Sequence, residues 1–200
     1  MSTISERQRQ VKQQAAQEAI YEAALEVISR PDFNGLKMQD IAASAGIVTG
    51  TLYLYFKNKE DLLYYVDRRL HEAILGQMKE ISTRPDPAPQ RLSDVIEEVF
   101  EFAGKYHVVF DLAERSGVPD RMPSEDKRDL VGRAVGCFEQ ILADGIESRL
   151  FRPVETRRTA TVLFNAIIGV LEMHKFFGDY DYEKSKRDLQ DTFFDYLRPE

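Results

Sequence analysis

Apolar positions recur at intervals of three and four residues along almost the whole chain, and no stretch alternates as a strand would, so the pattern predicts an all-α protein of about nine helices. The first helix is expected from about Val11 to Ser29, where Ala16, Ala19, Ile20, Ala23, Ala24, Val27 and Ile28 share a face, and Pro31 with the turn Asp32–Gly35 ends it. Two short helices follow. Ile41, Ala42 and Ala45 give one a side to bury, Gly46 supplies a tight turn, and Leu52 and Phe56 point the other inward before Asn58 breaks the run. From Lys59 to about Ser82 a stripe of Leu62, Leu63, Val66, Leu70, Ile74 and Met78 predicts one long helix, stopped by Pro85, Pro87 and Pro89. The next stripe, Leu92 to Ala103, reaches Tyr106, with a separate short helix over His107 to Glu114 and a loop at Gly117, Pro119 and Pro123. A helix over Glu125 to Arg149 carries Val131, Val135, Phe138, Ile141, Leu142 and Ile146, and Phe151-Arg152-Pro153 breaks it. Another starts near Val154 with Ala160, Leu163, Phe164, Ile167, Ile168 and Leu171, and Gly178-Asp179-Tyr180 separates a last one bearing Leu189, Phe193 and Leu197.

The stretch from Leu36 to Leu63 stands apart chemically. Two short helices joined by a glycine turn, with Thr49, Thr51, Tyr53 and Tyr55 turned outward on the second and lysines after it, have the layout of a helix-turn-helix. Ile41-Ala42-x-x-Ala45-Gly46, then Gly50-Thr51-Leu52-Tyr53-x-Tyr55-Phe56-x-x-Lys59-Glu60-x-Leu62, resembles the DNA-binding domain of the TetR family of bacterial transcription regulators over residues 12 to 65. Where that family commonly has serine or threonine near the start of each short helix, this chain has Met38 and Val48, so a side-chain cap is missing at both places.

The resemblance implies a flexible basic arm at 1–11, a DNA-binding domain at 12–62, and a helical effector-binding and dimerisation domain at 63–200. It implies a homodimer on a palindromic operator, acting as a repressor that a small molecule releases. By motif position, Lys37, Thr49, Gly50, Thr51, Tyr53, Tyr55, Lys57 and Lys59 are the DNA-binding residues, with Arg7, Arg9 and Lys12 on the arm able to follow phosphate. The implied cavity would take an amphipathic or aromatic ligand among Phe102, Tyr106, His107, Phe110, Phe138 and His174, residues that serve equally well as plain core. Two-fold operator symmetry requires a self-complementary surface, for which Phe164, Ile168, Phe193, Phe194 and Leu197 on the last two long helices are the apolar candidates, each with a rival place in the monomer core.

Charge changes the picture in one respect. The net charge is −7, yet through residue 60 basic and acidic residues balance, so the remainder carries the whole excess. A neutral head that does not repel phosphate and an acidic body suit local DNA binding rather than a non-specific nucleic-acid coat. One cysteine, Cys137, rules out an intrachain disulfide and suits a reducing cytoplasm, and the absence of a signal segment or a membrane-length apolar run argues against export and spanning. His71, His107 and His174 are too scattered for a metal or Cys/His nucleophile, and no phosphate-binding glycine loop occurs, so no cofactor and no enzymatic activity are expected. The rival from another class is a helical adaptor that binds protein and leaves Tyr53, Tyr55 and Lys59 free of DNA.

Overall fold

Nine α-helices and no strand make up the described part of the computed structural model, which covers residues 4–173, 176–177 and 181–199. They are α1 (Ile4–Ile28), α2 (Met38–Ser44), α3 (Thr49–Tyr55), α4 (Lys59–Ser82), α5 (Ala88–Arg115), α6 (Val118–Arg121), α7 (Ser124–Glu147), α8 (Thr156–Met173) and α9 (Tyr182–Leu197). The long helix after Asn58 has the bounds its apolar stripe predicts. Three elements differ. α1 starts at Ile4, so residues 4–11 are its first turns and not a separate arm; their polar side chains gave no periodic signal because the described ones there are exposed. His107 to Glu114 continues α5, since nothing at Tyr106 breaks a helix. The proline-marked loop contains α6, with Pro119 in the first turn, where a missing N–H costs nothing. The expected break at Gly178–Tyr180 lies outside the described residues.

The chain forms two compact units, each built from two segments. The first holds Met1–Leu70 and His107–Met122; the second holds His71–Tyr106 and Pro123–Glu200. These divisions fall elsewhere than the boundary at residue 62 expected from the motif, because the end of α5 and all of α6 belong with the N-terminal helices.

In the first unit Ile20, Ala24 and Ile28 of α1, Ile41 of α2, Leu52 of α3 and Leu62, Val66 and Leu70 of α4 are buried together with Val109, Ala113 and Val118. Polar ties fix the helices around that core. Arg69 donates to both carboxylate oxygens of Glu18 at 2.8 and 3.1 Å and to the Tyr65 hydroxyl at 3.0 Å, while its guanidinium lies 4.5 Å from the Tyr21 ring centre. Glu26 accepts from Arg30 at 2.8 Å and from the Ser44 hydroxyl at 2.7 Å, joining α1 to α2, and these bonds hold its carboxyl below the usual range. Arg121 of α6 meets Asp61 of α4 at 2.9 Å.

The second unit packs Leu92, Val95, Ile96 and Phe100 of α5, Phe138, Ile141 and Leu142 of α7, Ala160, Leu163 and Ile167 of α8, and Leu189 and Leu197 of α9. On α7 the inward face is rotated from the expected one at its start: Leu130 and Ala134 are buried and Val131 is exposed. The end of α7 is a Schellman turn, with Arg149 N–H donating to Ile146 O at 3.0 Å and Leu150 N–H to Gly145 O at 2.8 Å. Arg149 occupies the left-handed position of that turn at φ 59°. Lys186, almost wholly buried, joins α9 to α5 through Glu97 at 2.6 Å and is held by Glu183 at 2.9 Å.

Candidate nucleic-acid interface

The turn between α2 and α3 is also a Schellman turn: Gly46 N–H donates to Ala43 O at 3.2 Å, and Ile47 N–H to Ala42 O at 2.9 Å. Gly46 has φ +70°, where a Cβ would crowd the backbone, so glycine is needed here to redirect the chain. Lys37 and Val48 are the N-caps of α2 and α3, and neither makes a side-chain cap bond, as the missing serine or threonine predicts. Seven residues are too few for a helix to hold itself together in water. α3 therefore depends on Leu52, which is wholly buried, and on Phe56, whose ring centre sits 5.2 Å from that of Tyr65 on α4.

With Leu52 and Phe56 turned in, helical geometry decides what faces out. Gly50, Tyr53 and Leu54 are exposed and spaced by three residues and one, which puts them on one face of α3, and Lys57 is exposed just past the extended Phe56 that ends the helix. Tyr53 is 50% exposed and Leu54 83%. Thr49, Thr51 and Tyr55 flank this stripe and are half-buried, whereas Lys37, Lys57 and Lys59 are exposed. The Lys59 ammonium lies 4.0 Å from the Glu60 carboxylate. Asn58, read in the sequence merely as a break, caps α4: its side-chain oxygen accepts from Asp61 N–H at 2.8 Å. Asn58→Ala is expected to cost about 1 kcal/mol of stability, seen as a lower midpoint in thermal denaturation followed by circular dichroism.

Two residues escaped sequence reasoning for different reasons. Leu54 sits at the variable place inside the motif, and only its spacing from Gly50 reveals the face it shares. Arg69 has no local signal, because Glu18 lies far along the chain. Among the other expected residues, Arg7 and Lys12 are exposed on α1, and the Arg9 side chain lies outside the described residues. Phe102 and Tyr106 of the second unit meet with ring centres 4.7 Å apart and planes tilted by 53°, and Phe138 is sealed in that unit's core. His107 and Phe110 belong to the first unit, and His174 lies outside the described residues. A surface cleft of about 610 Å³ opens beside Ser82–Ala88, lined also by Arg91, Asp144 and Leu150. Of the dimer candidates, Ile168 is exposed, Phe164, Phe193 and Phe194 are half-buried, and Leu197 is wholly buried within its own unit.

Two short helices locked at a glycine turn, with the second displaying an outward stripe beside exposed lysines, define a helix-turn-helix DNA-binding transcription regulator. Residues 20–66 match the sequence model of the bacterial regulatory proteins of the tetR family. The chain is 26% identical over 150 residues to the fatty acid metabolism regulator protein of Bacillus subtilis, covering 74% of this chain and 77% of that one. It is 25% identical over 206 residues to the regulator AcrR of Shigella flexneri, covering 90% and 89%. The fold is that of the regulator FadR from Bacillus subtilis, solved in complex with stearoyl-CoA, with a TM-score of 0.65, 22% identity and coverage of 90% of this chain and 99% of that one. Residues 20–66 thus carry the DNA-binding domain of the TetR family of bacterial transcription regulators. No helix among the described residues is long and apolar enough to cross a membrane, and none of their His, Cys, Asp and Glu side chains group to hold a metal.

Proposed function

We propose that the protein binds a palindromic operator as a homodimer, represses by occupying a promoter, and leaves when an amphipathic small molecule enters its C-terminal body. The observation that carries the DNA reading is the outward stripe of α3 beside exposed Lys57 and Lys59. In this reading Thr49 and Thr51 open the recognition helix into the major groove, Tyr53 and Tyr55 meet the sugar–phosphate backbone or base edges, and Lys37, Lys57 and Lys59 neutralise phosphate. Dimerisation uses the outward sides of α8 and α9, where Ile168 joins exposed Val162 and Met173, with Phe164, Phe193 and Phe194 at its margin. Leu197 supports α9 from inside and takes no part. The body takes its ligand near Phe102 and Tyr106. The Bacillus subtilis FadR was solved with stearoyl-CoA, so that amphipathic thioester is the first probe to try.

Fluorescence anisotropy on the DNA flanking the protein's own gene tests this. Preference for one palindrome over its scrambled version by about 10³ or more is expected. Stearoyl-CoA is expected to weaken operator binding by a factor of about 5 to 150, as an effector must when it favours one arrangement over another. Equal affinity for operator and scrambled duplex sinks the proposal. Lys59→Ala separates positioning from base reading: it is expected to weaken all duplexes alike and to lower the salt slope by about 1 per contact removed. An unchanged slope takes Lys59 off the phosphate.

A further inference from the structure

Leu54 is the most exposed of the large apolar side chains in the described structure, at 83%, and it sits on the helix that the rest of the first unit positions. Its contribution to the fold is small: Leu52 and Phe56 supply the buried side of α3, and a polar residue at 54 would serve the helix as well. Around it the face is built for one kind of surface. Gly50, one turn before, projects no side chain and has no neighbour within 4 Å of where a Cβ would stand. Tyr53 is beside it, and Lys57, just past the end of the helix, is exposed. An apolar tip beside a bare backbone patch and a cation complements a groove with anionic walls and an apolar feature on its floor.

Duplex DNA offers such a feature. A leucine can neither donate nor accept a hydrogen bond, so it cannot read the polar edges of the bases. The apolar group presented in the major groove is the 5-methyl of a pyrimidine. We propose that Leu54 is a specificity residue that reads a pyrimidine 5-methyl group in each operator half-site. The inference rests on the DNA-binding function proposed above and adds to it a base preference: thymine at that place, or methylated cytosine in a modified genome.

The test uses the full-length protein and its operator, with anisotropy on duplexes in which each thymine in turn is replaced by deoxyuridine, which lacks only the methyl. At one position per half-site the loss is expected to be about fourfold, and about fifteenfold when both half-sites are changed. Leu54→Ala should lose a similar factor on the unmodified operator and become indifferent to deoxyuridine there. Because Leu54 is exposed, this variant retains its fold, which its thermal midpoint checks. Separate duplexes with cytosine or 5-methylcytosine at that position distinguish the two methyl sources: recovery with 5-methylcytosine alone identifies the methyl, and equal binding to both sinks the proposal. Indifference of the parent protein to deoxyuridine at every thymine also overturns it, as does a Leu54→Ala variant that keeps the whole penalty. If the parent has no preference for any operator, the DNA-binding function itself falls, a result distinct from sequence-specific binding that ignores the methyl.

Discussion

Gly50→Leu is expected to bring operator affinity down to that for scrambled DNA, a loss of about 10³ or more, while leaving the protein as stable as before or more so. The two effects have opposite signs because nothing inside the chain requires glycine at this position. Its φ lies outside the left-handed range, and a Cβ there would meet no atom within 4 Å. In a helix glycine is worth up to about 1 kcal/mol less than leucine or alanine, so the fold gains from the change. Bound DNA does not, because the stripe of Gly50, Tyr53 and Leu54 is the face proposed to enter the groove, and a branched side chain at its first position holds the backbone away. Anisotropy and a thermal melt on the same preparation decide the matter. A parallel fall in both would make Gly50 a structural residue, and unchanged operator affinity would move the docking face elsewhere.

The second large effect is steric. At Gly145 on α7 a Cβ would stand 2.0 Å from Cδ2 of Phe151. Neither side can yield easily. Gly145 O accepts from Leu150 N–H at 2.8 Å and from Phe151 N–H at 3.0 Å, and the Phe151 ring is 4% exposed. Gly145→Ala therefore overpacks a closed corner and should cost about 3 kcal/mol, a drop of about 6–12 °C in melting temperature for a chain of this size. Shrinking the ring relieves the same clash, so Gly145→Ala with Phe151→Ala should cost clearly less than the two single changes added together. A Gly145→Ala protein that melts within about 1 °C of the parent removes the clash from the account.

The sequence disclosed those parts of the molecule whose physics is local. Periodicity found the long helix after Asn58 because Leu62, Leu63, Val66 and Leu70 all face inward, and the motif found the helix pair because a glycine at φ +70° and an inward Leu52 leave few other arrangements. Where the signal is distant, reading along the chain fails. The tie from Arg69 to Glu18 and Tyr21 is such a case, as is the membership of His107–Met122 in the first unit. Aromatic residues misled in a third way: a ring at helical spacing looks the same in a cavity wall and in a packed core, and Phe138 proves to be core. The outward stripe on α3 was half legible. Its glycine and tyrosine belong to the motif, whereas Leu54 gives no sign along the chain because an apolar residue is expected to point inward.

The first unit closes only when a second stretch of chain, His107–Met122, arrives to contribute Val109, Ala113, Val118 and Arg121. An N-terminal fragment ending at Leu70 would leave Asp61 without its arginine and uncover the apolar residues that Val118 and its neighbours protect. This has a bearing on how such heads can be exchanged, in the laboratory or by recombination. A crossover after the long helix's first turns would carry the complete motif yet deliver an unfinished domain. A working graft needs two insertions, or a host whose own 107–122 equivalent happens to fit, so inheritance of binding specificity is tied to a segment that never approaches the motif in the sequence.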